Sequence, residues 1–232
     1  MTSNSSAHKK MAALSAVDFL EPGMVVGLGH GSTVQFALTA IGEKIKSGNL
    51  VEIIGIPCSK QTEAIAGSLG IPLGDLNDHD YVDITIDGAD EVDPQLNLIK
   101  GGGGALLREK IVAQASQREI IVIDEAKLSP VLGTNFPLPV EVNNFGWKQH
   151  LDFLTNLGAK PELRTEKNGD LVLTDQGNFL IDCHFASIEN AKELASKLES
   201  RSGLLEHGLF LGLASDVIVG GNSGIQHLRR KN

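Results

Sequence analysis

Four short apolar runs recur through the first half of this chain, and each gives way to a polar turn. Met24 to Leu28, Val51 to Ile56, Val82 to Ile86 and Ile120 to Ile123 have the continuous apolar character of strands buried on both faces. A helical pattern through Val34, Leu38, Ile41 and Ile45 follows the first run, and another, from about Ser59 to Leu69, follows the second. Strands that alternate with helices build a parallel sheet through right-handed crossovers, so all four carboxyl ends should lie along one edge. The residues there are His30-Gly31-Ser32-Thr33, Ser59-Lys60-Gln61-Thr62, Asp87 with Asp90, and Asp124 with Lys127. Open α/β sheets bind ligands at that edge.

The second half has a different texture. A strand is expected at Leu138 to Val142, a helix at Trp147 to Leu157, strands at Lys160 to Arg164, Leu171 to Thr174 and Phe179 to Cys183, and a helix at Ile188 to Leu198. Asn168-Gly169-Asp170 and Gln176-Gly177-Asn178 have hairpin-turn chemistry, which makes this sheet mainly antiparallel. Leu209 to Leu213 and Val217 to Val219 are apolar enough to rejoin the first sheet. The predicted architecture is therefore α/β: a doubly wound, mainly parallel, Rossmann-like sheet carrying an inserted small α+β domain. Its boundaries fall at 1–133 plus 207–232 for the main domain and 134–206 for the insert. At the start, Lys9 to Leu20 reads as an ordinary helix, and the Ser-rich first six residues as a frayed tail.

Composition narrows the function. A chain of 232 residues with 41% hydrophobic and 21% charged residues can bury a substantial core, and it holds no apolar run long enough to span a bilayer. A net charge of −9 with no basic stripe argues against nucleic acid and anionic membranes as partners, so any phosphate site must be local. The two cysteines, Cys58 and Cys183, lack metal-type spacing and imply a reducing compartment. With no signal core or arginine-rich leader, a cytoplasmic location is expected.

The richest stretch runs from Asp87 to Lys110, DGADEVDPQLNLIKGGGGALLREK. It leaves a strand at Asp87, passes Asp90 and Lys100, crosses four glycines and enters a helix that carries Glu109. Glycines let backbone N–H groups approach an anion, and a helix start adds its positive end to the same place. Gly27-Leu28-Gly29-His30-Gly31-Ser32 begins like a dinucleotide fingerprint but has Ser at its sixth position, and the next strand ends in Pro57-Cys58-Ser59 where a ribose-binding acid would stand. No Gly-Lys-Ser/Thr of a Walker loop occurs, Ser32 has no adjacent His base, and the seven histidines show no metal-binding spacing. No metal and no cofactor are expected.

DGADEVD followed by KGGGGALLREK resembles ribose-5-phosphate isomerase of the A type. GLGHGST at 27–33, GIPCSKQT at 55–62, DEAKL at 124–128, FPLPVEV at 136–142 and HGLFLG at 207–212 extend that similarity over nearly the whole chain. The resemblance implies the same two-part fold, a homodimer or homotetramer, and an aldose–ketose isomerisation of ribose 5-phosphate and ribulose 5-phosphate through an enediolate. It implies Glu109 as the general base and Asp87, with less weight, as the group that moves the ring-opening proton. Lys100 with Gly101, Gly102 and Gly103 would stabilise the enediolate oxygen. Gly88, Ala89 and Asp90 would line the sugar site, and His30, Gly31, Ser32, Thr33 and Lys127 would contact substrate or its phosphate. His30 and Cys58 stand where the family usually has Thr. On local sequence alone, Glu109 could be a solvated helix residue lying away from the apolar stripe of Leu106, Leu107, Ile111 and Ala115, and Asp87 and Asp90 a turn or cap pair. A sugar-phosphate sensor, a sugar-phosphate deaminase and an acyl-CoA transferase are the competing functions. The retained Glu109 and Lys100 and the spacing between the two motifs favour the isomerase.

Overall fold

The computed structural model describes residues 2–231, with side chains from Ser5 onward. The chain divides into two compact units, one of Met1–Ala89, Arg108–Ala126 and Gly212–Asn232, the other of Asp90–Leu107 and Lys127–Leu211.

The first unit is built on a six-stranded sheet. Its strands are β1 (Val25–Leu28), β2 (Ile54–Pro57), β3 (Val82–Asp87), β6 (Ser116–Asp124), β12 (Asp216–Gly221) and β13 (Gly224–Arg229), in the order β13-β12-β6-β3-β1-β2. All neighbours are parallel except β12 with β13. From β1 the chain goes first to one side, β2, and then to the other, β3, which places the switch point of the sheet between β1 and β3. Leu28 is in register with both Pro57 and Ile86, and Asp124 with Gly220, so the carboxyl ends share one edge as the sequence predicts. Val26, Leu28, Ile84, Ile86, Ile120, Val122 and Ile218 pack with Ala12, Ala13 and Ala16 of α1 (Thr2–Val17) and with Leu38 and Ile41 of α2 (Val34–Lys46). Each large aliphatic side chain buried this way contributes about 1.5–3 kcal/mol. After β2, α3 (Lys60–Ser68) is capped by Ser59, whose Oγ accepts the Thr62 N–H at 2.9 Å.

The second unit contains two smaller sheets. One is antiparallel and ordered β10-β7-β9-β8, from β7 (Leu138–Val142), β8 (Lys160–Leu163), β9 (Phe179–His184) and β10 (Leu204–His207). Leu138, Val140, Val142, Ile181 and Cys183 enter a core that also holds Leu154 of α5 (Gln149–Asn156) and Leu198 of α6 (Ala191–Glu199). The other sheet joins β4 (Glu91–Val92), β5 (Leu98–Ile99) and β11 (Leu209–Phe210). The boundary between the units falls inside α4 (Leu106–Ala115).

Several expectations need correction. Leu209–Phe210 pairs with Leu98–Ile99 and does not rejoin the large sheet; Asp216–Gly221 does. Leu171 to Thr174 is no strand: only the isolated bridges Thr165–Leu171 and Leu173–Phe179 form there. The segment is held instead through Glu141 of β7, which accepts from Thr174 Oγ1 and Asn178 Nδ2, each at 2.8 Å. Burial pushes the Glu141 carboxyl above the ordinary range; Glu206 and Asp175 push it the same way, against the two hydrogen bonds. The first helix runs Thr2–Val17 rather than Lys9 to Leu20, and the Ser-rich start is already helical, with Ser5 Oγ donating to Asp124 Oδ2 at 3.1 Å. The second unit takes in 90–107, 127–133 and 207–211 as well as 134–206, with β4 and β5 paired to β11.

Candidate functional site

Asp87 ends β3 at the switch point and is fully buried. Its Oδ1 accepts the His30 N–H at 3.0 Å and the Gly88 N–H at 2.7 Å, so the carboxylate organises the loop after β1 and the turn after its own strand together. Gly29 donates its N–H to Ile86 O at 3.0 Å, and a Cβ there would fall 2.2 Å from Asp87 Oδ1. Only glycine lets the two strand ends approach this closely.

The His30 side chain is held by a chain of hydroxyls. Thr62 Oγ1 gives its one proton to Gly29 O at 2.8 Å, so Ser59 Oγ must donate to Thr62 Oγ1 at 2.9 Å. That leaves His30 Nδ1 as the donor in its 2.9 Å contact with Ser59 Oγ, which fixes the imidazole proton on Nδ1. The chain begins and ends on the same loop. Further along it, Gly31 O accepts the Gln35 N–H at 3.2 Å, Ser32 Oγ accepts from Lys9 Nζ at 3.1 Å, and Thr33 is buried at the start of α2. Lys9, which the sequence marks only as the start of a helix, also stands 4.0 Å from Asp124.

Glu109 lies in the first turn of α4 and is only 4% exposed. The burial of this helix overturns the apolar-stripe expectation: Glu109 and Lys110 are buried, whereas Ile111 is 45% exposed. A carboxylate withdrawn from water in this way is seldom a mere surface residue.

Lys100, in the second unit, is 2% exposed, and its ammonium stands 5.5 Å from the centroid of the Phe210 ring. Its N–H donates to Gly208 O at 2.9 Å, fixing the entry to the glycine run. Asp90 Oδ2 accepts the Gly102 N–H at 2.8 Å, and Gly104 N–H turns back to Gly101 O at 3.0 Å. Sequence reasoning missed Arg164, which donates to the carbonyls of Gly101 and Gly102 at 2.9 and 3.2 Å. It also missed Glu91, fully buried, whose carboxylate takes the N–H groups of Gly133, Thr134 and Asn135 at 2.9, 3.2 and 3.1 Å. Lys127 is half-buried, with its ammonium 5.7 Å from the Phe136 ring centroid. Asp87, His30 and Gly88 thus meet in one unit, and Asp90 with Gly101 and Gly102 in the other; Ala89 is the last residue of its segment of the first unit.

Among the described residues no group of three or more His, Cys, Asp and Glu could hold a metal ion, and no helix is long and apolar enough to cross a membrane. Cys58 and Cys183 are buried and form no disulfide; burial, with the charge of Asp182 adding to it, pushes the Cys183 thiol well up.

The family model of ribose 5-phosphate isomerase A, also called phosphoriboisomerase A, matches residues 54–224. The chain belongs to that family. It is 52% identical to ribose-5-phosphate isomerase A of Desulfatibacillum aliphaticivorans, over 99% of both chains. The same enzyme of Chloroflexus aurantiacus is 50% identical, over 98% of this chain and 95% of that protein. Among solved structures, a D-ribose-5-phosphate isomerase in complex with phospho-erythronic acid superposes with a TM-score of 0.96 at 42% identity, covering 98% of this chain and 100% of that one. Ribose 5-phosphate isomerase from Plasmodium falciparum follows at 0.95 and 38% identity, over 98% and 100%.

Proposed function

We infer that the chain is an aldose–ketose isomerase that interconverts D-ribose 5-phosphate and D-ribulose 5-phosphate through an enediolate, in the non-oxidative branch of the pentose phosphate pathway. The observation that carries this is the family match over residues 54–224, which spans both the DGAD strand end and the KGGGG loop. Glu109 removes the proton from C2 of the open-chain aldose and returns it to C1, a task for a carboxylate kept from water. Asp87 moves the proton that opens the sugar ring. Lys100, with the glycine run Gly101 to Gly103, stabilises the oxygen that becomes negative in the enediolate, because preorganised charge and dipoles act most strongly where charge develops. Gly88, Ala89 and Asp90 line the sugar; His30, Gly31, Ser32, Thr33 and Lys127 hold substrate and phosphate. A cytoplasmic location and a homodimer or homotetramer complete the proposal.

The test is formation of ribulose 5-phosphate from ribose 5-phosphate with a chelator present, for wild type and Glu109→Gln. Wild type should turn over at full rate, and the variant should lose roughly 10²–10⁴ in kcat while still binding substrate. Normal turnover and normal exchange of solvent deuterium into C2 by the variant would remove Glu109 from the role of base.

A further inference from the structure

We propose that Arg164 is a positioning residue for the isomerisation, holding two carbonyls of the glycine loop so that the Gly102 N–H meets Asp90 and the Gly103 N–H faces away from the guanidinium, toward substrate. This rests on the assignment of Gly101 to Gly103 to the enediolate oxygen.

Arg164 follows β8 and is largely buried, its side chain 14% exposed. Nε donates to Asp182 Oδ2 at 2.8 Å and Nη2 donates to Asp182 Oδ1, a forked pair with the neighbouring strand β9. Nη1 is then aimed at the loop, where it donates to Gly101 O at 2.9 Å and Gly102 O at 3.2 Å. In a trans peptide the carbonyl and the following N–H point in opposite directions. Holding Gly101 O therefore turns the Gly102 N–H away from Arg164, and that N–H does go to Asp90 Oδ2, at 2.8 Å. Holding Gly102 O turns the Gly103 N–H away by the same rule. Glycines lose more backbone freedom on ordering than any other residue, so a run of four keeps one orientation only if something outside it imposes one. Arg164 grips the carbonyl side and Asp90 the N–H side of the same peptide. Because Asp182 balances the guanidinium charge, the contribution of Arg164 is direction rather than net charge. A lysine could keep the charge but has no planar fork with which to grip a carboxylate and two carbonyls at once.

The alternative is a strand staple, in which Arg164 and Asp182 merely join β8 to β9. Arg164→Met, Arg164→Lys and Asp182→Asn, each with its thermal melt, separate the two, with Lys100→Ala as the control for the assignment beneath them. Positioning predicts a fall in kcat of about 10–100-fold per folded molecule for Arg164→Met with KM within about threefold, since misplaced donors weaken the transition state more than the ground state. Arg164→Lys should recover part of the rate, and Asp182→Asn should fall between it and wild type. A staple predicts a lower melting temperature with wild-type kcat in the folded fraction, and that result overturns the proposal if Lys100→Ala is impaired. If Lys100→Ala also keeps wild-type turnover, the enediolate assignment itself is wrong. Should Arg164→Met fail to fold, Arg164→Lys decides: kcat lowered about 3–10-fold at unchanged KM supports the proposal, and wild-type kcat overturns it.

Discussion

The two glycine-bearing loops of this molecule solve one problem in different ways. The loop at 29–33 leaves β1, a parallel strand paired on both sides in a six-stranded sheet, so its start is fixed by the ladder itself, with Asp87 holding the His30 N–H and Thr62 the Gly29 carbonyl. The loop at 100–104 leaves a two-residue strand, β5, in a sheet of three very short strands. It is gripped on both sides, by Asp90 at an N–H and by Arg164 at two carbonyls. Where the surrounding sheet is long, backbone geometry does most of the positioning; where it is short, side chains must do it. The first loop should therefore resist a changed side chain and fail when its backbone is displaced, and the second should do the reverse.

Gly29→Ala breaks the first loop. The added Cβ would meet Asp87 Oδ1 at 2.2 Å and the Asp87 Cα at 2.6 Å, and the Cα belongs to a buried central strand that cannot swing aside. Overpacking of this kind is expected to destabilise the protein by about 3 kcal/mol and to abolish activity, because the Asp87 bond to His30 N–H goes with it. A melting temperature within a degree or two of wild type would show that β1 and β3 are less tightly joined than their register implies.

Gly102→Ala is the matching test on the second loop, with a smaller effect. Its Cβ would lie 2.7 Å from Asp90 Oδ1, but that atom ends a rotatable side chain on a partly exposed residue. Asp90 can turn away at the loss of its bond to Gly102 N–H, so stability should change by about 1 kcal/mol and kcat by about 10-fold. Loss of stability equal to that of Gly29→Ala would erase the distinction between the loops. Unchanged kcat would mean that Arg164 alone sets the orientation.

The same contrast explains what could be read from the sequence. Asp87, Ser59 and the loop at 29–33 were legible because strand ends, caps and helix starts are local patterns, and the parallel order then brings them to one edge. Arg164 was not legible. It is more than 60 residues from the carbonyls it holds, just after β8, whose alternating residues read as an ordinary half-exposed strand, and nothing in the run KPELR distinguishes a loop clamp from a surface charge. Glu91 was hidden for the same reason, since its partners at Gly133 to Asn135 come from a remote segment. The two-residue strands β4, β5 and β11 are too short for any period to register, which is why the apolar run Leu209 to Leu213 reads as part of the large sheet although Leu209–Phe210 pairs with β5. β13 was missed because it is an exposed edge strand, GIQHLR, with little apolar alternation.

The smallest expected effect belongs to His30→Thr, which changes a side chain of the first loop and leaves its backbone alone. The imidazole donates from Nδ1 to Ser59 Oγ, a bond present in the neutral Nδ1–H tautomer and in the imidazolium alike, so this link does not depend on pH. Ser59 Oγ would keep its bonds with Thr62 N–H and Thr62 Oγ1 in the variant, and losing the third should lower stability by about 1 kcal/mol. If backbone N–H groups carry the binding, kcat of His30→Thr stays within about threefold of wild type. Any titrating contribution must come from a second proton, on Nε2, whose positive charge would favour the substrate phosphate and lower the wild-type KM selectively on the acid side. Comparing both proteins from about pH 5.5 to 8.5 isolates that charge, because the substrate phosphate titrates identically in the two experiments. KM curves that diverge only toward acid pH assign the charge to His30, and superimposable curves reduce the residue to its link with Ser59. Loss of all activity would show that the side chain, and not the Asp87-held backbone, shapes the first loop, and the contrast with the loop at 100–104 would fall.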